Sequence, residues 1–111
     1  MLVDFATHKL RRTMSSGSEL LQQYGPRLGH LIGQRLDELV ALPDLGAGFD
    51  VPHLKLHQLK GDRDEQFAVA LVYPDRLVFS VANAPIPRVA DGGINVDAVT
   101  SVVVLGVVDY H

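Results

Sequence analysis

The chain is 111 residues long, 47% hydrophobic and 21% charged, with a formal net charge of −3 and no Cys. Those values describe one folded domain over residues 1–111, able to bury a core without a disulfide or metal staple, and they exclude a disordered tail, a thiol nucleophile and a thiolate metal site. The acidic balance also counts against a surface that coats nucleic acid by neutralising phosphates, though a local basic pocket is compatible with it.

In chain order, MLVDF reads as a short edge strand, with Val3 and Phe5 facing one way and Leu2 and Asp4 the other. THKLRRTM is helical and basic. Ser16 and Glu19 have capping-box spacing and predict a helix start at Ser16. Gly25-Pro26 breaks or kinks that helix, since Pro lacks a backbone donor. A second helical stretch runs from Pro26 to about Leu42, where Leu28, Leu31, Ile32, Leu36, Leu39 and Val40 form one apolar stripe and Pro43 ends it. PDLGAGFDVP reads as a turn-rich loop. HLKLHQL alternates like a strand, with Leu54 and Leu56 on one face and His53, Lys55 and His57 on the other.

KGDRDEQ is then a polar turn, and FAVALVY and RLVFSVA are a hairpin joined at Pro74-Asp75. NAPIPRVADGGIN is a long Pro/Gly loop. AVTSVVVLGVV is β-branched and apolar on both faces, as expected of a central strand covered on both sides. The predicted class is α+β: an N-terminal strand and two helices packed on one face of a mainly antiparallel sheet. The start lacks the apolar stretch of a signal peptide, and the longest apolar run, Val102 to Val108, is far below the ~20 residues that span a bilayer. A cytoplasmic protein that does not contact a membrane is the expectation.

Two chemical readings fail on the residues. His53 and His57 have zinc-pair spacing for a helix, but on a strand they stand about 13 Å apart, too far for one metal. ADGGIN lacks phosphate-loop spacing. What remains is a set of cations: Lys60 opening the KGDR turn, Arg76 starting a strand, and His111 after the last one. With no metal and no Cys, such a set suits a phosphate site, in which cations stabilise a pentavalent phosphorane and His or Tyr moves protons.

LHQLKGDR (Leu56 to Arg63), FAVALVYPDRLVFSVA (Phe67 to Ala82) and the terminal VVDYH resemble the HigB branch of the RelE/ParE superfamily, the toxins of type II toxin–antitoxin pairs. LVDFATHKLRR and RLDELVAL fit the same pattern, so the resemblance covers nearly the whole chain. It is closest to a subgroup with a long Pro/Gly loop before the last strand, here APIPRVADGGINVDAVTSV, whose members are often labelled killer or killer-suppression proteins.

The resemblance implies a RelE/ParE-like fold and a ribosome-dependent mRNA endonuclease. That activity needs no metal or cofactor, because the RNA 2′-hydroxyl attacks the adjacent phosphate. Carried over, Lys60 is a transition-state stabiliser, Arg76 binds the scissile phosphate, and Asp109, Tyr110 and His111 are the terminal trio, with His111 transferring the proton. Lys60, Arg63 and Arg76 would contact RNA phosphates, with Lys60 and Arg76 converging on one end of the sheet. The implied partners are the ribosome, mRNA and a helix-turn-helix antitoxin encoded by the adjacent gene, whose acidic surface would dock on Lys9, Arg11 and Arg12. The chain departs from the family at Phe67, where Trp is usual, at Pro74-Asp75, where Asn-Trp is usual, and at Val72, where some members are basic. These departures sustain an alternative: a non-nucleolytic toxin of the gyrase-inhibiting ParE type, or a degenerate domain that only binds an antitoxin.

Overall fold

Local signals start the helices where the sequence places them. The computed structural model describes residues 1–109. Helix α1 (His8–Met14) begins under Thr7, whose hydroxyl accepts the Leu10 N–H at 3.0 Å. Helix α2 (Gly17–Ala41) begins under Ser16, whose hydroxyl accepts the Glu19 N–H at 3.3 Å. Such caps satisfy donors that the first helical turn leaves without partners. Gly25, at φ 83°, interrupts α2 just before Pro26, so the predicted break is a sharp kink inside one helical element. Gly29 lets the two arms close: a Cβ there would lie 2.6 Å from the Leu20 carbonyl oxygen.

Past the kink, Ile32 and Leu39 are fully buried, while Val40, assigned to the same stripe, is 57% exposed. The loop expected after Pro43 contains a one-turn helix, α3 (Leu45–Gly48), capped by Asp44, with Leu45 fully buried.

Five strands make one sheet in the order β1-β5-β4-β3-β2. They are β1 (Leu2–Phe5), β2 (His57–Gln58), β3 (Gln66–Ala70), β4 (Asp75–Val81) and β5 (Ser101–Asp109). β1 lies parallel to β5, and the other neighbours are antiparallel. The helices pack on one face, where Phe67, Val69, Leu77, Phe79, Val102 and Val104 meet Ile32, Leu36 and Leu39. Phe67 and Phe79 pair across the β3–β4 ladder and stack at a centroid distance of 6.1 Å. This is the predicted α+β architecture, a mixed sheet with helices on one side.

Two expectations about strands change. The HLKLHQL stretch is not one strand: Pro52–Leu54 is a 3₁₀ turn, Lys55 is left-handed at φ 48°, and only His57–Gln58 pairs with β3. Leu54 and Leu56 are buried as the alternation suggested, but the chain reverses at Lys55 to bury them both. The last strand, β5, is flanked on both edges by β1 and β4 but is not covered on both faces. Val102 and Val104 are buried under the helices, whereas Val103, Leu105 and Val108 are only half-buried. A bulge explains its unbroken apolar pattern. Register shifts between Val78 and Phe79, so Val78 pairs with Gly106 and Phe79 with Val104. Gly106, at φ 149°, takes the backbone geometry this needs. The extra residue reverses the alternation: Val107 joins the helix-side core, while Leu105 and Val108 cover a small outer cluster of Leu59, Ala68 and Val78.

Candidate functional site at the ends of the sheet

Ladder register locates the predicted cations. Arg76 pairs with Ala70 on β3 and with Val108 on β5, at the end of the sheet where β5 finishes. Asp109, which pairs with Asp75, shares that end. Alternation sets Arg76 on the outer face with Val78, and Asp75 and Asp109 on the face of Leu77 and Val107. The guanidinium of Arg76 turns toward the β3–β4 hairpin. Its Nη1 donates to the Asp75 carbonyl at 3.1 Å, and its Cζ lies 5.7 Å from the centroid of the Tyr73 ring. Tyr110 and His111 lie outside the described residues.

Lys60 is elsewhere. The Leu59 N–H donates to the Gln66 carbonyl at 2.8 Å, so Lys60 falls one step further, level with Glu65. Position 65 is five residues along β3 from position 70, about 17 Å at ~3.4 Å per residue. The expected convergence of Lys60 with Arg76 is therefore corrected: they stand at opposite ends of the sheet. An antiparallel ladder separates them because β2 enters β3 from the far end of the β3–β4 hairpin.

Arg63 belongs to the Lys60 end, donating from Nη1 to Gln66 Oε1 at 3.0 Å. At that end Arg88, on the Pro/Gly loop, grips both carboxylate oxygens of Glu65, one at 3.0 Å, and also donates to the Gly92 carbonyl at 3.1 Å. Hydrogen bonding from Arg88 holds the Glu65 carboxyl below its ordinary range, and the same bonds raise Arg88. The loop is thus clipped to the β2–β3 connection.

The N-terminal basic segment is partly neutralised within the chain. Arg11 Nη2 lies 2.5 Å from Asp4 Oδ1, and Arg12 lies 4.0 Å from Glu19. The Asp4 carboxyl is held low by the Phe5 N–H first and by Arg11 second. Lys9 is exposed on the same short helix.

A different group surrounds a cleft of about 430 Å³, lined by Gln34, Arg35, Asp37, Glu38 and His53. Arg35 Nε donates to the Ala70 carbonyl at 2.8 Å, and its Nη1 to Glu38 Oε1 at 2.7 Å. The other Glu38 oxygen contacts His53 Nε2. Burial pushes the Glu38 carboxyl up, but hydrogen bonds and charges from His53 and Arg35 outweigh it and leave the net value lowered. This chain of contacts fastens the turn at Pro52–Leu54 to α2 and, through Ala70, to β3. Its hydrogen bonds join side chains of the cluster to one another and to the backbone, which makes it a structural tie. Among the described residues, no group of three or more His, Cys, Asp or Glu is arranged to hold a metal ion, and no helix is long and apolar enough to cross a membrane.

Sequence reasoning missed the Arg35–Glu38–His53 tie, because assigning His53 to a strand left it facing solvent. It also passed over Tyr73. A signal for Tyr73 was present: an aromatic residue directly before Pro-Asp in a tight turn has little core to enter.

A scan against protein-family models finds no match for the chain, and a search of curated proteins finds no significant relative.

Proposed function

We propose that this α+β domain is the toxin of a type II toxin–antitoxin pair, of the HigB-like kind, and acts as a ribosome-dependent mRNA endonuclease. One observation carries the reading. β5 is held between β1 and β4, and its last described residues, Val108 and Asp109, pair with Arg76 and Asp75. Asp109, the first residue of the DYH segment, therefore shares one end of the sheet with the part-buried Arg76, more than thirty positions away in the sequence. In this reading Arg76 neutralises charge on the scissile phosphate, His111 relays the proton between the 2′-hydroxyl and the 5′-oxygen leaving group, and Asp109 and Tyr110 belong to the same terminal trio. Lys60 and Arg63 hold a neighbouring stretch of the RNA backbone.

A specific observation favours the runner-up, a non-nucleolytic toxin of the gyrase-inhibiting type or a domain that only binds an antitoxin. Lys60 stands away from Arg76, and two carboxylates, Asp75 and Asp109, face each other across the strands beside it.

The deciding experiment maps codon-position cleavage of ribosome-bound mRNA by the wild type, Arg76→Ala and His111→Ala. Loss of a proton-transfer group costs about 10²–10⁴ in rate. Growth arrest in cells without cleavage would transfer the assignment to the runner-up. Co-expression with the adjacent gene product should give a complex that survives gel filtration, and charge reversal at Lys9 should weaken it if the basic segment is the docking surface.

A further inference from the structure

We propose that Tyr73 is a base-stacking residue, which holds the nucleobase next to the phosphate bound by Arg76 in a single-stranded RNA. The inference rests on the RNA reading above and adds a contact that the chain's resemblance to other toxins does not supply. Phe67 and Phe79, on the same hairpin, are fully buried, whereas Tyr73 is 75% exposed on the turn between β3 and β4. The Arg76 guanidinium lies over its ring at 5.7 Å and is steadied by the Asp75 carbonyl at 3.1 Å.

A cation that tracks the backbone beside an aromatic platform is the elementary unit of single-strand binding, because every base offers a π-face. The need for such a platform follows from the charge. With a net charge of −3, affinity for RNA cannot come from a general electrostatic coat and must come from local contacts. Tyr73 and Arg76 are three positions apart across the turn, so one hairpin presents both platform and cation.

The test is fluorescence anisotropy of a labelled RNA hexamer with the full chain as wild type, Tyr73→Ala, Tyr73→Phe and Arg76→Ala. It is repeated with a hexamer of the same backbone lacking its bases, and melting temperatures are recorded alongside. Tyr73→Ala should weaken binding about 5- to 100-fold with little change in salt dependence, since stacking involves no counterion. Tyr73→Phe should retain affinity, and the base-free hexamer should bind wild type and Tyr73→Ala alike. Arg76→Ala should weaken binding and lower the salt slope by about one. Equal binding of the RNA by wild type and Tyr73→Ala, or an equal loss for the base-free hexamer, would overturn the stacking role and leave the RNA reading intact. No binding of the free hexamer by the wild type would overturn the stacking role, whereas the RNA reading itself stands or falls on cleavage of ribosome-bound mRNA.

Discussion

Replacing Lys60 and Arg76 by Ala, singly and together, asks whether the two cations serve one phosphate or two. The register gives the answer expected. Lys60 is level with position 65 and Arg76 with position 70, about 17 Å apart along the strands, and β2 and β4 are two strand spacings, about 10 Å, apart across the sheet. The Arg76 guanidinium also turns away from Lys60, toward Asp75 and Tyr73. A single phosphate cannot touch both, so each alanine should remove one contact from a different part of the RNA. Loss of one positioned donor at a transition state costs about 10²–10³ in rate, or 2.7–4 kcal/mol. If Lys60 only tracks the backbone, its loss falls mainly on binding. Sites more than about 7–10 Å apart add within about 0.3–0.5 kcal/mol, whereas groups sharing a partner couple by about 0.5–3 kcal/mol. The assay is single-turnover cleavage of ribosome-bound mRNA over a range of ribosome concentrations, which separates binding from chemistry. Arg76→Ala should lower the plateau rate, Lys60→Ala the apparent affinity, and the double variant should be the product of the two. A coupling above about 1 kcal/mol would refute the argument and mean that both cations reach one phosphate.

Asp75→Asn should raise the melting temperature slightly and tighten RNA binding, because it removes a like-charge pair with Asp109 worth about 0.2–1 kcal/mol; unchanged binding in anisotropy would show that this pair does not depress the potential at Arg76. Gly29→Ala should destabilise the fold by about 1–3 kcal/mol in chemical denaturation, since its Cβ would lie 2.6 Å from a backbone carbonyl that cannot move without opening the kink of α2; wild-type stability would mean the two arms are not packed this closely. Glu38→Gln should flatten the acid side of the stability profile. The Glu38 carboxyl is lowered in the folded state, so its contribution is present above about pH 4.5 and is lost as pH falls through the folded value; melting curves of wild type and variant that run parallel from pH 6 to 3 would remove the Arg35–Glu38–His53 tie.

Much of the architecture was legible in local sequence because local physics decides it. Ser16 and Glu19 mark a helix start through hydrogen bonds within one turn, and Gly25-Pro26 marks a kink because neither residue suits an unbroken helix. Alternation in FAVAL and RLVFSV shows which residues pair inward, and Phe67 and Phe79 do so. Alternation misled at HLKLHQL, where a left-handed Lys55 buries Leu54 and Leu56 without a strand. Periodicity reports which residues are buried, not the backbone path that buries them.

Only the tertiary structure decided which sequence-distant residues meet. The bulge at Gly106 sets the facing of β5 beyond it, and no local signal distinguished that from an apolar strand covered on both sides. The direction in which β2 joins β3 put Lys60 at the far end of the sheet from Arg76. Tyr73 and Arg76, by contrast, were brought together by a turn written within a few residues. Chain order names the groups able to bind a phosphate, but ladder register, a non-local property of hydrogen-bonded strands, determines which of them can act on the same one.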